Sequence, residues 1–307
     1  MTAIKTQFTL LMLASLLGCS HNDLNDSHTS NKSIIYESFE QGGWNAENTT
    51  LSISTHQPGL DPSLPMNFLF AQLQGPHSFT LDESKARSGH YSAKLLWKAN
   101  NPSKWNGDPQ KLDNTDRKAM FHGKKAQSNI STVWYGFSAY FPSEFTQFTQ
   151  DQGALFFQIH GARDGQSEPN RIPPVALNLK KQGFSLGYSW DSKKISTSTQ
   201  GEGNETLTIP ATLADYQDRW VDFVLKVNTN PFQEKGGITL WIDGKQAADI
   251  QDIQLGYNDK QGVYPSFGWY LWGEYANRDE DVVMYLDEIR QAEGNELNYQ
   301  DLVPRTN

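Results

Sequence analysis

The chain has 307 residues and a formal net charge of −9, from 26 Lys and Arg against 35 Asp and Glu. That balance argues against nucleic acid as a partner, because a polyanion needs a cationic face to bind. Cys19 is the single cysteine, which excludes a disulfide framework and leaves the fold to its core or to a metal.

In chain order, residues 1–18 read as an export signal. Met1 to Gln7 carries one charge, Lys5, and the apolar run Phe8 to Leu17 is too short to span a bilayer. It ends in Leu16-Leu17-Gly18-Cys19, which resembles the lipobox of bacterial lipoproteins, where the cysteine is lipidated and becomes the new N-terminus. The expectation is a lipid anchor at Cys19 in the bacterial cell envelope, at the outer membrane given Ser20, with no other contact with the membrane. Residues 19–33 follow as a polar tether that cannot bury enough surface to order itself. Residues 34–292 form a single expected domain, and 293–307 a C-terminal tail.

Within that domain short alternating segments are separated by Gly, Pro, Asn and Asp. Strands are predicted over 34–39, 92–98, 132–141, 154–160, 175–180, 183–190, 220–227, 237–242, 266–272 and 282–289. Leu213 to Tyr216 reads as a helical turn, and Asp243-Gly244 as a hairpin. The pattern implies an all-β fold of two packed antiparallel sheets, a sandwich or jelly roll. Asp218 to Lys226, leading into Gly237-Ile238-Thr239-Leu240-Trp241-Ile242-Asp243-Gly244-Lys245, resembles the concanavalin-like jelly roll. That pattern speaks to fold and not to activity.

Two strands carry chemistry. In Leu155-Phe156-Phe157-Gln158-Ile159-His160, alternation puts Gln158 and His160 on one face and Phe157 and Ile159 on the other. In Tyr264-Pro265-Ser266-Phe267-Gly268-Trp269-Tyr270, Ser266 and Tyr270 point with Trp272, opposite Phe267, Trp269 and Leu271. An imidazole, an amide and a phenol on the polar side of a sheet can remove a proton beside a carboxylate, which is β-elimination on a uronic acid. The run from Lys104 to Lys125 holds Lys104, Lys111, Arg117, Lys118, Lys124 and Lys125 against Asp108, Asp113 and Asp116. It reads either as a solvated loop or as one wall of an anion-binding cleft.

Several segments together resemble the jelly-roll polysaccharide lyases of the heparin lyase I and glucuronan lyase type, and more distantly the jelly-roll alginate lyases. They are Val133 to Pro142 with its Tyr-Gly-Phe, the Gln-x-His strand 154–160, the Tyr-x-x-x-Gly-x-Tyr strand 264–270 and the closing strand Met284 to Arg290. The likeness runs in order from about Ile34 to Arg290. Ser266 stands where that family carries Lys, and Asp116-Arg117-Lys118-Ala119-Met120 keeps the Arg of an Arg-(Ser/Thr)-Glu-Leu strand but not its Glu.

The resemblance implies a lyase acting on an acidic polysaccharide. Arg117, Gln158 and Asn178 would neutralise the substrate carboxylate so that the enolate can form. His160 would be the base, and Tyr270 would protonate the leaving oxygen. In a syn-elimination Tyr270 would also be the base, if Arg117 or His160 lowered its pKa. Asn178, Lys180, Ser266, Trp272, Tyr264, Lys118 and His122 are candidate substrate-binding residues, with His77 an outlier. Each also fits ordinary polar decoration of a concave sheet.

No cofactor is expected for catalysis, since the histidines form no close metal-binding pair. A structural calcium is expected at Glu40 and Asp287. The chain is expected to be a monomer. Two other readings stand beside the lyase: a non-catalytic sugar-binding module with Trp44, Trp105, Trp190 and Trp272 as platforms, and a glycoside hydrolase. The second lacks the usual Glu-x-Asp-x-x-Glu strand, because Asp279, Glu280 and Asp281 are contiguous.

Overall fold

Strands that alternate apolar and polar side chains are stable only when their apolar faces meet, and here those faces meet between two sheets. The computed structural model describes residues 32–40, 68, 70–74, 76–99, 117–149, 153–165, 167–276 and 278–305. Cys19, most of the tether, Trp44, Trp105, and Lys104, Asp108, Lys111, Asp113 and Asp116 of the basic run lie outside the described residues.

The strands are β1 (Ile34–Glu37), β2 (Phe70–Leu73), β3 (Phe79–Asp82), β4 (Ser92–Trp97), β5 (Lys118–His122), β6 (Thr132–Tyr140), β7 (Gly153–His160) and β8 (Val175–Lys180). They continue with β9 (Gly183–Asp191), β10 (Gly203–Pro210), β11 (Trp220–Asn228), β12 (Gly236–Ile242), β13 (Lys245–Ile253), β14 (Gly256–Tyr257), β15 (Tyr264–Tyr270) and β16 (Val282–Glu293). One helical turn, α1 (Tyr299–Leu302), follows. The outer sheet has the order β13-β12-β11-β6-β16-β4-β3, with β1 added along β16. The second sheet has the order β10-β9-β8-β7-β15-β5-β2, with β14 beside β9. This is the expected jelly roll.

Phenylalanines fill the space between the sheets. Phe137 of β6 stacks on Phe157 of β7 and Phe223 of β11, each at 5.1 Å between centroids, and meets Phe267 of β15 edge-on at 5.4 Å. All are buried, each contributing about 1.5–3 kcal/mol of transfer free energy. On the far face of the outer sheet, Leu302 of α1 packs with Trp134, Val224 and Leu297. A Cβ at Gly136 would stand 1.8 Å from the Leu302 carbonyl oxygen, so that close approach requires glycine.

Two irregularities position the second sheet's exposed face. A bulge between Leu155 and Phe157 lets both Phe156 and Phe157 enter the core while Gln158 and His160 stay on the opposite face. A second bulge, between Phe267 and Tyr270, turns on Gly268 at φ +117°, a conformation that disfavours any side chain.

The predicted strands are present with ends shifted by a few residues. The Asp243-Gly244 turn has φ of 48° and 77°, the left-handed pair that a tight hairpin needs. The helical turn is a 3-10 turn over Leu213–Asp215. Strands β2, β3, β10, β13 and β14 had no counterpart among the predicted strands, and β5 was met only as the echo of the Arg-(Ser/Thr)-Glu-Leu strand at 116–120. In β10 only Ile209 is buried, because an edge strand does not have to alternate.

Candidate active site

Register lines the groove-facing side chains up across the second sheet. Phe70, His122, Ser266, Gln158, Ala176, Gly187 and Thr206 are successive cross-strand partners from β2 to β10. A neighbouring row runs Lys118, Tyr270, Leu155, Asn178, Ser185 and Thr208. His160 pairs with Tyr264 beyond the first row. Over this face lies a groove of about 1170 Å³. Six strand spacings give it a length of roughly 29 Å, long enough for a chain-like ligand.

The polar groups there hold one another. His122 Nδ1 lies 2.7 Å from Ser266 Oγ, and the Gln158 amide donates to the same oxygen at 3.5 Å. The His122 ring stacks on Phe70 with centroids 4.0 Å apart. His160 Nδ1 donates to the Gly161 carbonyl at 2.6 Å, which fixes the tautomer with the lone pair on Nε2. Tyr264 stands between the two imidazoles, 5.5 Å from His160 and 5.9 Å from His122. Its phenol is pushed up to about 12 by burial, against the pull of the Arg163 charge. Lys118 donates to Gln72 Oε1 at 2.7 Å and sits 4.7 Å from the Tyr270 ring centroid. Asn178 lines the groove with an Oδ1 that makes no hydrogen bond among the described residues. Trp272, half exposed, forms part of the rim and packs on Tyr275 at 4.9 Å.

Several expectations need correcting. Arg117 is not among the groove-lining residues: it sits before β5, its carbonyl bonded to Leu271 N, and its charge acts on Tyr270. Lys118, the next residue, lines the groove. Lys180 shares the face of Asn178 but lies at the end of β8, also outside the lining. Ser266 is fully buried beneath His122 and Gln158, so it holds its neighbours rather than offering itself to a sugar. Tyr270 has its pKa raised by burial, which outweighs the opposing Arg117 charge. A phenol so placed is a neutral proton donor. His77 lies away from the groove, against Gln74, with its pKa lowered to about 4 by burial and then by Lys98.

The loops on one side of the groove were not foreseen. Arg163 follows His160 by three residues and faces Tyr264. Its loop is anchored by buried Arg171, which pairs with Asp259 at 2.8 Å and with Glu168 at 3.6 Å. Glu168 in turn accepts from Asp164 N and Ser196 N. The signal was the Gly161-Ala162-Arg163 step after the Gln-x-His strand, a turn that carries a cation back over the sheet. With Lys118, Lys125 and Lys260, these arginines outweigh Asp164 and Glu205 in the lining, so an acidic molecule carries a basic groove.

The calcium expectation does not fit the donors. Asp287 accepts from Arg87 N, Ser88 N and Glu288 N, and Glu40 Oε1 accepts from His90 N and Tyr91 N. Both carboxylates thus bond to N–H groups of the turn at 87–91, whose dipoles would oppose a cation. No cluster of three His, Cys, Asp or Glu suited to a metal occurs among the described residues.

The jelly roll carries a basic, aromatic-rimmed groove across one sheet, a site shaped for a chain-like ligand. The chain belongs to the polysaccharide lyase family, whose model matches residues 66–290. It is a polysaccharide lyase, an enzyme that acts on polysaccharides. Among solved structures it is similar to an endo-β-1,4-glucuronan lyase from the fungus Trichoderma reesei. The identity is 14%, the TM-score 0.55, and 75% of this chain and 90% of that chain are covered. It is also similar to alginate lyase Aly36B, at 11% identity and TM-score 0.49 over 87% of this chain and 99% of that one. A third is alginate lyase vAL-1 from Chlorella virus, at 15% identity and TM-score 0.40 over 71% and 94%. No curated protein matches the chain.

Proposed function

We propose that the enzyme cleaves a uronic-acid-containing polysaccharide by β-elimination. The proton at C5 of a uronate is lost only when its carboxylate is neutralised, so that the enolate's charge meets fixed donors. Gln158, Asn178 and the cations Lys118 and Arg163 supply that environment. His160 Nε2 takes the C5 proton. Tyr270 gives its phenolic proton to the departing glycosidic oxygen, the C4–O bond breaks, and a C4–C5 double bond forms. The observation that carries this reading is the combination, on one groove face, of a histidine with its lone pair at Nε2 and a phenol kept neutral by burial.

The test is incubation with alginate, glucuronan, ulvan, heparin and hyaluronan, following the ultraviolet absorbance of the unsaturated product. Chain cleavage without that absorbance would mark hydrolysis, and cleavage of none of these polymers would reject the uronate reading. The lipobox-like segment ending at Cys19 supports an enzyme tethered by acyl chains to the bacterial cell envelope, at the outer membrane.

A further inference from the structure

Ser266 Oγ has two partners among the described residues, His122 Nδ1 at 2.7 Å and the Gln158 amide at 3.5 Å. A hydroxyl owns one proton, so a serine held between two such groups donates to one and accepts from the other. With Gln158 Nε2 donating, the Ser266 proton goes to His122 Nδ1, and the imidazole carries its own proton on Nε2. If the amide turns over, every bond reverses. Oε1 then accepts from Ser266, Ser266 accepts from Nδ1–H, and the imidazole lone pair moves to Nε2. The amide face and the tautomer are a single variable.

A substrate can set that variable. Gln158 Oε1 is buried and makes no hydrogen bond among the described residues, so the side of the amide away from Ser266 offers an acceptor. A carboxylate in the groove calls for a donor there, which is the Nε2 of the turned amide. We infer that Ser266 couples these events: when Gln158 engages a substrate carboxylate, His122 changes from an Nε2–H donor into an Nε2 proton acceptor. His122 is then a second functional histidine beside His160. The imidazole stays neutral throughout, one proton leaving Nε2 to water and one being taken from water at Nδ1. Its stacking on Phe70 keeps the ring in place, so protons move and the side chain does not. His160 has no such freedom, because the Gly161 carbonyl holds its Nδ1–H. The coupling rests on the uronate reading, since a neutral sugar gives the amide no reason to turn.

The ring-nitrogen shifts of 15N-labelled full-length protein report the tautomer directly. His122 should be Nε2–H in the free protein. It should be Nδ1–H when Tyr270→Phe protein is saturated with oligosaccharides of whichever uronate polymer of the screen the wild type cleaves. Ser266→Ala should still bind but lose the change of tautomer, with kcat lowered about tenfold or more and KM little altered. Ser266→Thr, which keeps a hydroxyl, should restore both. A merely structural serine would not move the tautomer, and the wild-type measurement decides even if Ser266→Ala does not fold. If the oligosaccharide shifts the Trp272 indole signal while His122 keeps its tautomer, or if the free protein is already Nδ1–H, the coupling is overturned and the uronate reading survives. If no polymer of the screen is cleaved, both fall together.

Discussion

The roles proposed for Tyr270 and His160 are distinct and can be separated by mutation. Tyr270→Phe keeps the ring against Met120, Leu155 and Ala176 and removes only the acidic proton. Turnover should fall by about 10²-fold or more with little change in melting temperature, and near-wild-type cleavage would remove the phenol from the mechanism. Burial holds its pKa above the ordinary 10.0, so it stays protonated through the neutral and mildly alkaline range. The pH profile of kcat/KM should therefore show no alkaline fall from Tyr270 below about pH 10. His160→Gln removes the proposed base and should lower turnover by about 10²-fold or more while leaving the groove intact. His77 supplies a stability effect instead. It is held neutral in the folded protein, with a pKa of about 4 against an ordinary 6.5. The unfolded chain therefore takes up a proton first as pH falls, and stability present above pH 6.5 is lost progressively down to about 4. His77→Gln should flatten the melting temperature across that window, and an unchanged slope would assign it elsewhere.

At the level of strands, site geometry depends on bulges more than on alternation. A Cβ at Gly268 would lie 2.3 Å from the Ala119 carbonyl oxygen and 2.7 Å from Leu95 Cδ1, on a backbone at φ +117°. Gly268→Ala should cost at least about 1–3 kcal/mol by denaturant unfolding and reduce activity further, as it displaces Tyr270. Alternation alone was enough to put Gln158, His160, Ser266 and Tyr270 on the right face, because parity survives at those positions. It did not reveal that Ser266 is covered, since burial depends on what the neighbouring strand places above it. It gave the carboxylate-neutralising role to Arg117 and left Lys118 among the binding candidates, because the start of β5 is hidden in a run of charges and a one-residue shift of register exchanges faces. The loop cation Arg163 was missed for a different reason: the Gly161-Ala162-Arg163 step marks a turn, but where that turn lands is fixed by the remote ion pair of Arg171 with Asp259, 88 residues away in sequence.

For the whole molecule, charge distribution matters more than charge total. The chain is acidic overall, yet Lys118, Lys125, Arg163 and Lys260 face the groove. An anionic polymer is thus drawn to one face and repelled elsewhere, so KM should rise with salt while kcat stays nearly constant. A salt-independent KM would argue against binding led by these cations. Cys19→Ala should leave activity intact and release the protein from membranes, and continued retention would show the anchor to be elsewhere.

The cross-strand row has one open position. Gly187 sits among Ala176, Thr206 and the catalytic candidates, and unlike Gly136 or Gly268 it is not required by the fold. A Cβ there would meet only Thr206 Oγ1 at 3.8 Å and the Glu205 carbonyl at 3.9 Å, both ordinary contacts. Its side chain would rise straight into the groove, with the packed phenylalanines untouched on the other face. This sheet can therefore change what it recognises without renegotiating how it folds, and Gly187 is where such drift, natural or directed, meets the least resistance.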